Sequence, residues 1–241
     1  MTESQDTVLR VEGLSKSYGA LRAVKDLSFT VHRGEVFGIL GPNGAGKSTS
    51  LECILGTRKK DSGAVTILGM DPAKDRRRIF ARAGVQFQDS AWQTGIRVTE
   101  ICESTACLYS PVPEWRRLLK KFDLKKRENA EAAALSGGER QKLSILLACI
   151  HSPELVFLDE LTAGLDPLAR RDMWRFIKAI QEEGTAVVLT SHYMDEVETL
   201  CRRGLMIKEG SKVAEGSIQE LIAAGNGKNL DESYVQIMEK K

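Results

Sequence analysis

One segment, Gly41-Pro42-Asn43-Gly44-Ala45-Gly46-Lys47-Ser48-Thr49, constrains the fold more than any other feature of the chain. It fits the spacing G-x-x-x-x-G-K-[ST] and lies between a buried-strand pattern, Glu35 to Leu40, and a helical pattern from Lys47 to Leu55 that Gly56 ends. Glycines let such a loop wrap a phosphate with its backbone N–H groups turned inward, and the following helix adds the positive end of its dipole. Lys47 is then expected to reach the β- and γ-phosphates of a nucleotide, and the Ser48 hydroxyl to bind Mg²⁺. The bland alternative is a glycine turn that happens to precede a helix. Alone, the loop specifies a nucleotide and leaves the task open.

The rest of the chain supplies a frame for that loop. Val8 to Val11 and Leu27 to Val31 alternate as strands do, with a turn at Tyr18-Gly19 between them, and further strands are expected at Ala64 to Leu68 and Ala83 to Phe87. From Arg97 to about Ala134 the pattern becomes helical, with Trp115, Leu118, Leu119 and Phe122 on one stripe. The basic residues from Arg116 to Arg127 around that stripe are most simply a solvated face. After Leu135 helices and strands alternate: Glu139 to Ile150, Leu155 to Leu158, Leu168 to Glu183, Ala186 to Thr190, Met194 to Cys201. Short strands at Gly204 to Ile207 and Lys212 to Ala214 and a helix from Ser217 follow. Alternation of this kind predicts an α/β fold, a mostly parallel sheet covered on both faces by helices. The expected division is a single domain: a core of residues 1–88 and 135–225 with an N-terminal antiparallel β part, a helical insertion at 89–134, and a tail at 226–241.

Two more segments carry chemistry. Leu155 to Glu160, LVFLDE, is an apolar strand ending in Asp159, suited to hold a metal beside the loop, and Glu160, suited to polarise a water as general base. Taken alone, an ordinary acidic strand end explains it equally well; beside a phosphate loop the catalytic reading is preferred. Leu135 to Leu143, LSGGERQKL, opens a helix with Ser136-Gly137-Gly138, a second anion-binding end in a chain that needs only one. An N-capping serine with Glu139 in the first turn explains Ser136 but not the paired glycines.

Phosphate loop, LSGG, LDE strand and a downstream histidine, in that order and spanning nearly the whole chain, resemble the ABC ATPase family with its P-loop NTPase core. That resemblance implies roles for further residues. Tyr18 matches the aromatic residue that stacks on adenine, and Gln88, in AGVQFQ, the glutamine that senses γ-phosphate and metal and links to a membrane partner. Gln86 is near enough to compete, but Gln88 holds the family position. Asp166, in AGLDP, matches an aspartate that communicates across a dimer, and His192, in LTSHYMDEVE, the histidine that contacts the γ-phosphate. The resemblance implies ATP and Mg²⁺ as ligands, with Ser136 to Glu139 serving the nucleotide of a second copy. The family usually has proline after the catalytic glutamate; Leu161 stands there, and a turn freer in φ is expected.

SHYMDEVE and the C-terminal LDESYVQIMEK look like the bacterial ABC-2 type exporter group, in which the ATPase and the transmembrane permease are separate chains. The implied function is ATP hydrolysis that powers transport, at the cytoplasmic face of a membrane; the alternative is a non-transport ABC ATPase such as a cluster-assembly ATPase. A formal net charge of +2 argues against nucleic acid as a partner. No run of about 18 apolar residues is present, and the polar start MTESQDTVLRVEG has no signal-like pattern. Five cysteines without metal-ligand spacing are expected to be reduced structural thiols.

Overall fold

The computed structural model describes residues 6–87, 92–162 and 164–239. Two long strands, β1 (Thr7–Tyr18) and β2 (Leu21–His32), form an antiparallel hairpin, and β4 (Ser62–Ile67) pairs on the other side of β1. Both hairpin strands run well beyond the apolar cores that the sequence marks. Their distal ends alternate weakly, and register shifts at Val11/Leu14 and Leu14/Lys16 carry the pairing through them.

The larger sheet has the order β5-β6-β7-β3-β8-β9, made of β5 (Ala83–Gln86), β6 (Leu155–Asp159), β7 (Ala186–Ser191), β3 (Val36–Leu40), β8 (Arg203–Lys208) and β9 (Ser211–Ser217). All pairs are parallel except β8 with β9. Every residue of β3, β6 and β7 is buried, as a sheet covered on both faces requires. Side chains alternate between two cores. Phe37, Ile39, Leu155, Phe157 and Val188 face the antiparallel sheet, whereas Leu40, Val156, Leu158, Val187 and Leu189 face the helical side. Each fully buried side chain of this size contributes about 1.5–3 kcal/mol.

The helices are α1 (Lys47–Ile54), α2 (Arg76–Phe80), α3 (Val98–Ala106), α4 (Trp115–Lys121), α5 (Gly137–Cys149), α6 (Pro167–Glu182), α7 (Met194–Leu200), α8 (Ile218–Gly225) and α9 (Leu230–Glu239). The stripe of α4 behaves as expected: Trp115, Leu119 and Phe122 are buried, and Phe122 packs on Phe176 of α6 at 3.8 Å between ring centres. Thus the insertion shares a core with the sheet. The sequence gives no sign of α2, whose RRRIF carries a single buried residue, Ile79. All five cysteines are free; Cys53, Cys102, Cys149 and Cys201 are buried and Cys107 is exposed. Burial pushes the Cys102 and Cys149 thiols up to about 12.

Candidate functional site

In the sheet, β6, β7 and β3 are consecutive neighbours and run parallel. Their carboxyl ends therefore deliver three loops to one edge: Asp159-Glu160 from β6, Ser191-His192 from β7, and Gly41 to Gly46 from β3. The crevice outside the carboxyl ends of parallel strands is where such sheets hold ligands.

The phosphate loop is shaped by its neighbours. Gly46 has φ 103°, and a Cβ there would lie 2.3 Å from the Ala23 carbonyl oxygen of β2. At Gly41 a Cβ would lie 2.5 Å from the Ile207 carbonyl oxygen of β8. The loop is thus clamped between the two sheets, and only glycine fits at either end. Lys47 is 4% exposed, and its ammonium donates to the carbonyls of Gly41 (2.8 Å) and Pro42 (3.1 Å). Burial lowers its pKa, while Glu160 and Asp159 oppose that shift.

Asp159 is also buried, and burial raises its pKa against hydrogen bonds from Thr190 and Ser48. The Ser48 hydroxyl donates to Asp159 Oδ1 at 3.4 Å, and the Thr190 hydroxyl donates to the same oxygen. The Glu160 backbone N–H donates to Thr190 Oγ1 at 3.0 Å. Glu160 itself has φ 52°, the left-handed region that a non-glycine residue adopts only where its surroundings impose it. Its Oε1 lies 3.6 Å from His192 Nδ1, close but beyond hydrogen-bond length. The structure therefore brings Lys47, Ser48, Asp159, Glu160 and His192 together. Ser48 and Asp159 form a pair of oxygen donors of the type that a hard divalent cation takes, at a carboxylate whose burial such a cation would offset.

Other residues singled out in the sequence lie elsewhere. Tyr18 is at the hairpin turn, 41% exposed, with Arg58 and Lys16 about 5.4 and 5.5 Å from its ring centre. Ser136 caps α5: its hydroxyl accepts from Glu139 N–H at 3.2 Å, and the Glu139 carboxylate accepts from Ser136 N–H at 2.9 Å. Asp166 caps α6, accepting from Leu168 and Ala169 N–H. Among the described residues no hydrogen bond or ion pair joins Ser136 to Glu139 with the phosphate loop. Gln88 lies outside the described residues. Within the protomer, packing does not account for the paired glycines. A Cβ at Gly137 would meet nothing within 4 Å, and one at Gly138 would meet only Ala169 and Leu165 at ordinary contact distance.

A model of the family described as ABC transporter matches residues 24–163, more than half of the chain. The chain belongs to the ABC transporter family. It is 36% identical over 232 residues to the Nod factor export ATP-binding protein I of Ralstonia nicotianae, covering 94% of this chain and 72% of that protein. To the protein of the same name from Rhizobium johnstonii it is 38% identical over 230 residues, covering 92% and 73%. Among solved structures, an ATP-binding subunit of an ABC transporter superposes with TM-score 0.88 at 28% identity, covering 96% of this chain and all of that one. This ABC protein is accordingly an ATP-binding subunit that hydrolyses ATP, and its two sheets and P-loop core are those of the family's ATPases.

Two residues of this ABC ATPase that join its loops escape a reading by motif. Thr190 holds both Asp159 and the Glu160 backbone, and its only signal is a hydroxyl that, with Ser191, ends an apolar strand. Gln141 of α5 donates to the Leu161 carbonyl at 2.8 Å, tying the LSGG helix to the residue after Glu160. Leu161 is fully buried in the helical-side core, so it serves packing as well as the turn. Leu161→Pro should leave turnover per folded molecule equal to or above that of the parent. The lost packing should lower stability by about 1–3 kcal/mol. Thermal melting with a steady-state assay checks both; a parental melting point would refute the packing role.

Proposed function

We propose that this ABC ATPase powers export through a separate membrane-spanning permease, by closing on ATP as a dimer and reopening after hydrolysis. The observation that carries the catalytic part is the convergence of Lys47, Ser48, Asp159, Glu160 and His192 at the carboxyl edge of β3, β6 and β7. In this reading the Gly41 to Thr49 loop holds the β- and γ-phosphates, Lys47 neutralises them, and Tyr18 stacks on the adenine. Glu160 takes a proton from the attacking water. The water oxygen bonds to the γ-phosphorus as the bond to the β-phosphate oxygen breaks, giving ADP and phosphate. His192 donates to the γ-phosphate. Ser48 and Asp159, with Gln88, would hold Mg²⁺, which supplies positive charge against the phosphate oxygens.

The open space at Gly137, and the absence of any close contact that would require glycine at Gly138, support a role outside their own protomer. Ser136 to Glu139 would cover the γ-phosphate held by a second copy, with Asp166 near the shared interface. Among the described residues no helix is long and apolar enough to cross a membrane. In this reading a permease partner supplies the substrate path, and this subunit works peripherally at its cytoplasmic face. The relatives named for Nod factor export favour an exporter.

The permease would dock where the insertion meets the core. A cavity of about 1380 Å³ opens there, lined by Phe80, Tyr109, Arg76 and Arg117 among others. Leu108 and Val112 at its rim are 79% and 62% exposed, large apolar side chains that a partner would cover. The test is capture of the tagged subunit from detergent-solubilised cells that express it natively. A membrane protein should co-purify, and Leu108→Arg with Val112→Arg should cut its recovery by at least about ten-fold, roughly 1.4 kcal/mol of binding. Basal turnover of the isolated subunit should not change. Recovery of a soluble scaffold instead would favour the cluster-assembly alternative.

A further inference from the structure

Glu196, on α7, is fully buried, yet among the described residues no cation lies within ion-pair distance of it. Arg170, whose charge acts on Glu196, is engaged with Asp195 at 2.8 Å. A buried carboxylate without an ion partner is expensive to keep and is retained only where its hydrogen bonds are well made. Here they are. Glu196 Oε1 accepts from Thr162 Oγ1 at 2.7 Å and more distantly from Trp174 Nε1 at 3.4 Å, and Oε2 accepts from Ser191 Oγ at 2.6 Å.

Those two hydroxyls sit on different loops. Thr162 is two residues after Glu160, and Ser191 directly precedes His192. The segment from Glu160 to Thr162 is thereby fastened to the end of β7 twice: at its start through Thr190, which binds the Glu160 N–H, and at its end through Glu196 and Ser191. The Ser191 hydroxyl oxygen also accepts from Tyr193 N–H at 3.0 Å, which fixes the backbone on the far side of His192. Glu160 Oε1 lies 3.6 Å from His192 Nδ1, and the ties between the two loops bear directly on that separation.

We propose that Glu196 is a positioning residue, which holds the Glu160 and His192 loops in register so that both address the same γ-phosphate. The inference rests on the roles given above to Glu160 and His192. Glu196 is fully buried behind the two loops and acts through Thr162 and Ser191. Because the phosphate loop is built from β3 and α1, loss of Glu196 should spare nucleotide binding and impair the chemical step, where small displacements are costly.

The experiment is steady-state hydrolysis and equilibrium ATP binding for Glu196→Ala, Glu196→Gln, Thr162→Val and Lys47→Ala. Glu196→Ala should lower kcat by roughly 10- to 100-fold with KM and ATP affinity within about three-fold of parental. Thr162→Val, which keeps the volume and removes one tie, should lower kcat by about ten-fold at near-parental thermal stability, and it decides the matter if Glu196→Ala does not fold. Glu196→Gln should recover much of the loss, since an amide can accept from one hydroxyl and donate to the other. Combined with His192→Ala, Glu196→Ala should cost little beyond the larger single effect, because residues acting as a unit are not additive. Parental kcat in Glu196→Ala or Thr162→Val, or a multiplicative double variant, would overturn the inference while loss of turnover in Lys47→Ala leaves the site reading standing. Parental turnover in Lys47→Ala would instead remove the site reading itself.

Discussion

Glu160→Gln is expected to bind ATP, lose at least about 100-fold in turnover and elute at twice the protomer mass when ATP is present. The loss is the usual size for removing a general base. Glutamine keeps the length and shape of the side chain, so the residue's φ of 52° and its N–H bond to Thr190 should persist. What disappears is the proton acceptor. In the reading proposed above the dimer follows from counting phosphate cradles: Gly41 to Ser48 and Ser136 to Gly138 would make two per chain, and one nucleotide fills only one. Two copies about a two-fold axis let each loop face the other's Ser136 to Gly138, so all four are used. ATP is then part of the interface, and a variant that cannot hydrolyse it holds the interface closed. Size-exclusion chromatography with and without ATP checks this; a protomer that stays single with ATP bound would contradict a sandwich formed by the isolated subunit.

Lys47→Ala should weaken ATP binding by about 2–5 kcal/mol, roughly 30- to 5000-fold. The side chain is the buried cation of the loop, and among the described residues its ammonium donates to the carbonyls of Gly41 and Pro42. A triphosphate offers those donors charged oxygens instead, and alanine leaves those oxygens without that cation. The apo protein should not suffer in parallel. Burial lowers the Lys47 pKa, so the fold carries this charge at a cost, and removing it should leave the melting temperature near parental or above. Calorimetric titration with Mg-ATP alongside thermal melting separates the two effects. Unchanged affinity would refute the loop's role, and a collapsed fold would show that Lys47 is structural.

Much of this architecture is legible in the chain without coordinates. Strands β3 and β6 are short apolar runs bounded by glycine or acidic residues, β7 is an apolar run begun just after Gly184, and a sheet buried on both faces demands nothing subtler. The phosphate loop is legible because its requirements are local: glycines at both ends, a lysine, a hydroxyl, a strand before and a helix after. Ser136 with Glu139 and Asp166 before Pro167 are equally local, being helix caps within three or four residues. Properties that depend on neighbours in sequence are written in sequence.

What only the tertiary structure decided depends on strand order and on long-range contacts. Nothing in the spacing of Lys47, Asp159 and His192 says that β6, β7 and β3 lie side by side, yet that order alone brings the three loops to one edge. Gly41 and Gly46 look like ordinary loop glycines until the carbonyls of Ile207 and Ala23 are seen against them. Leu161 reads as a departure from a motif, and the fold makes it a core residue. Glu196 reads as one more acid in MDEVE; its three partners come from β7, from the turn after β6 and from α6. A buried hydrogen bond between segments tens of residues apart leaves no periodicity behind, because each partner is constrained by the other's position in space and not by its own neighbours along the chain.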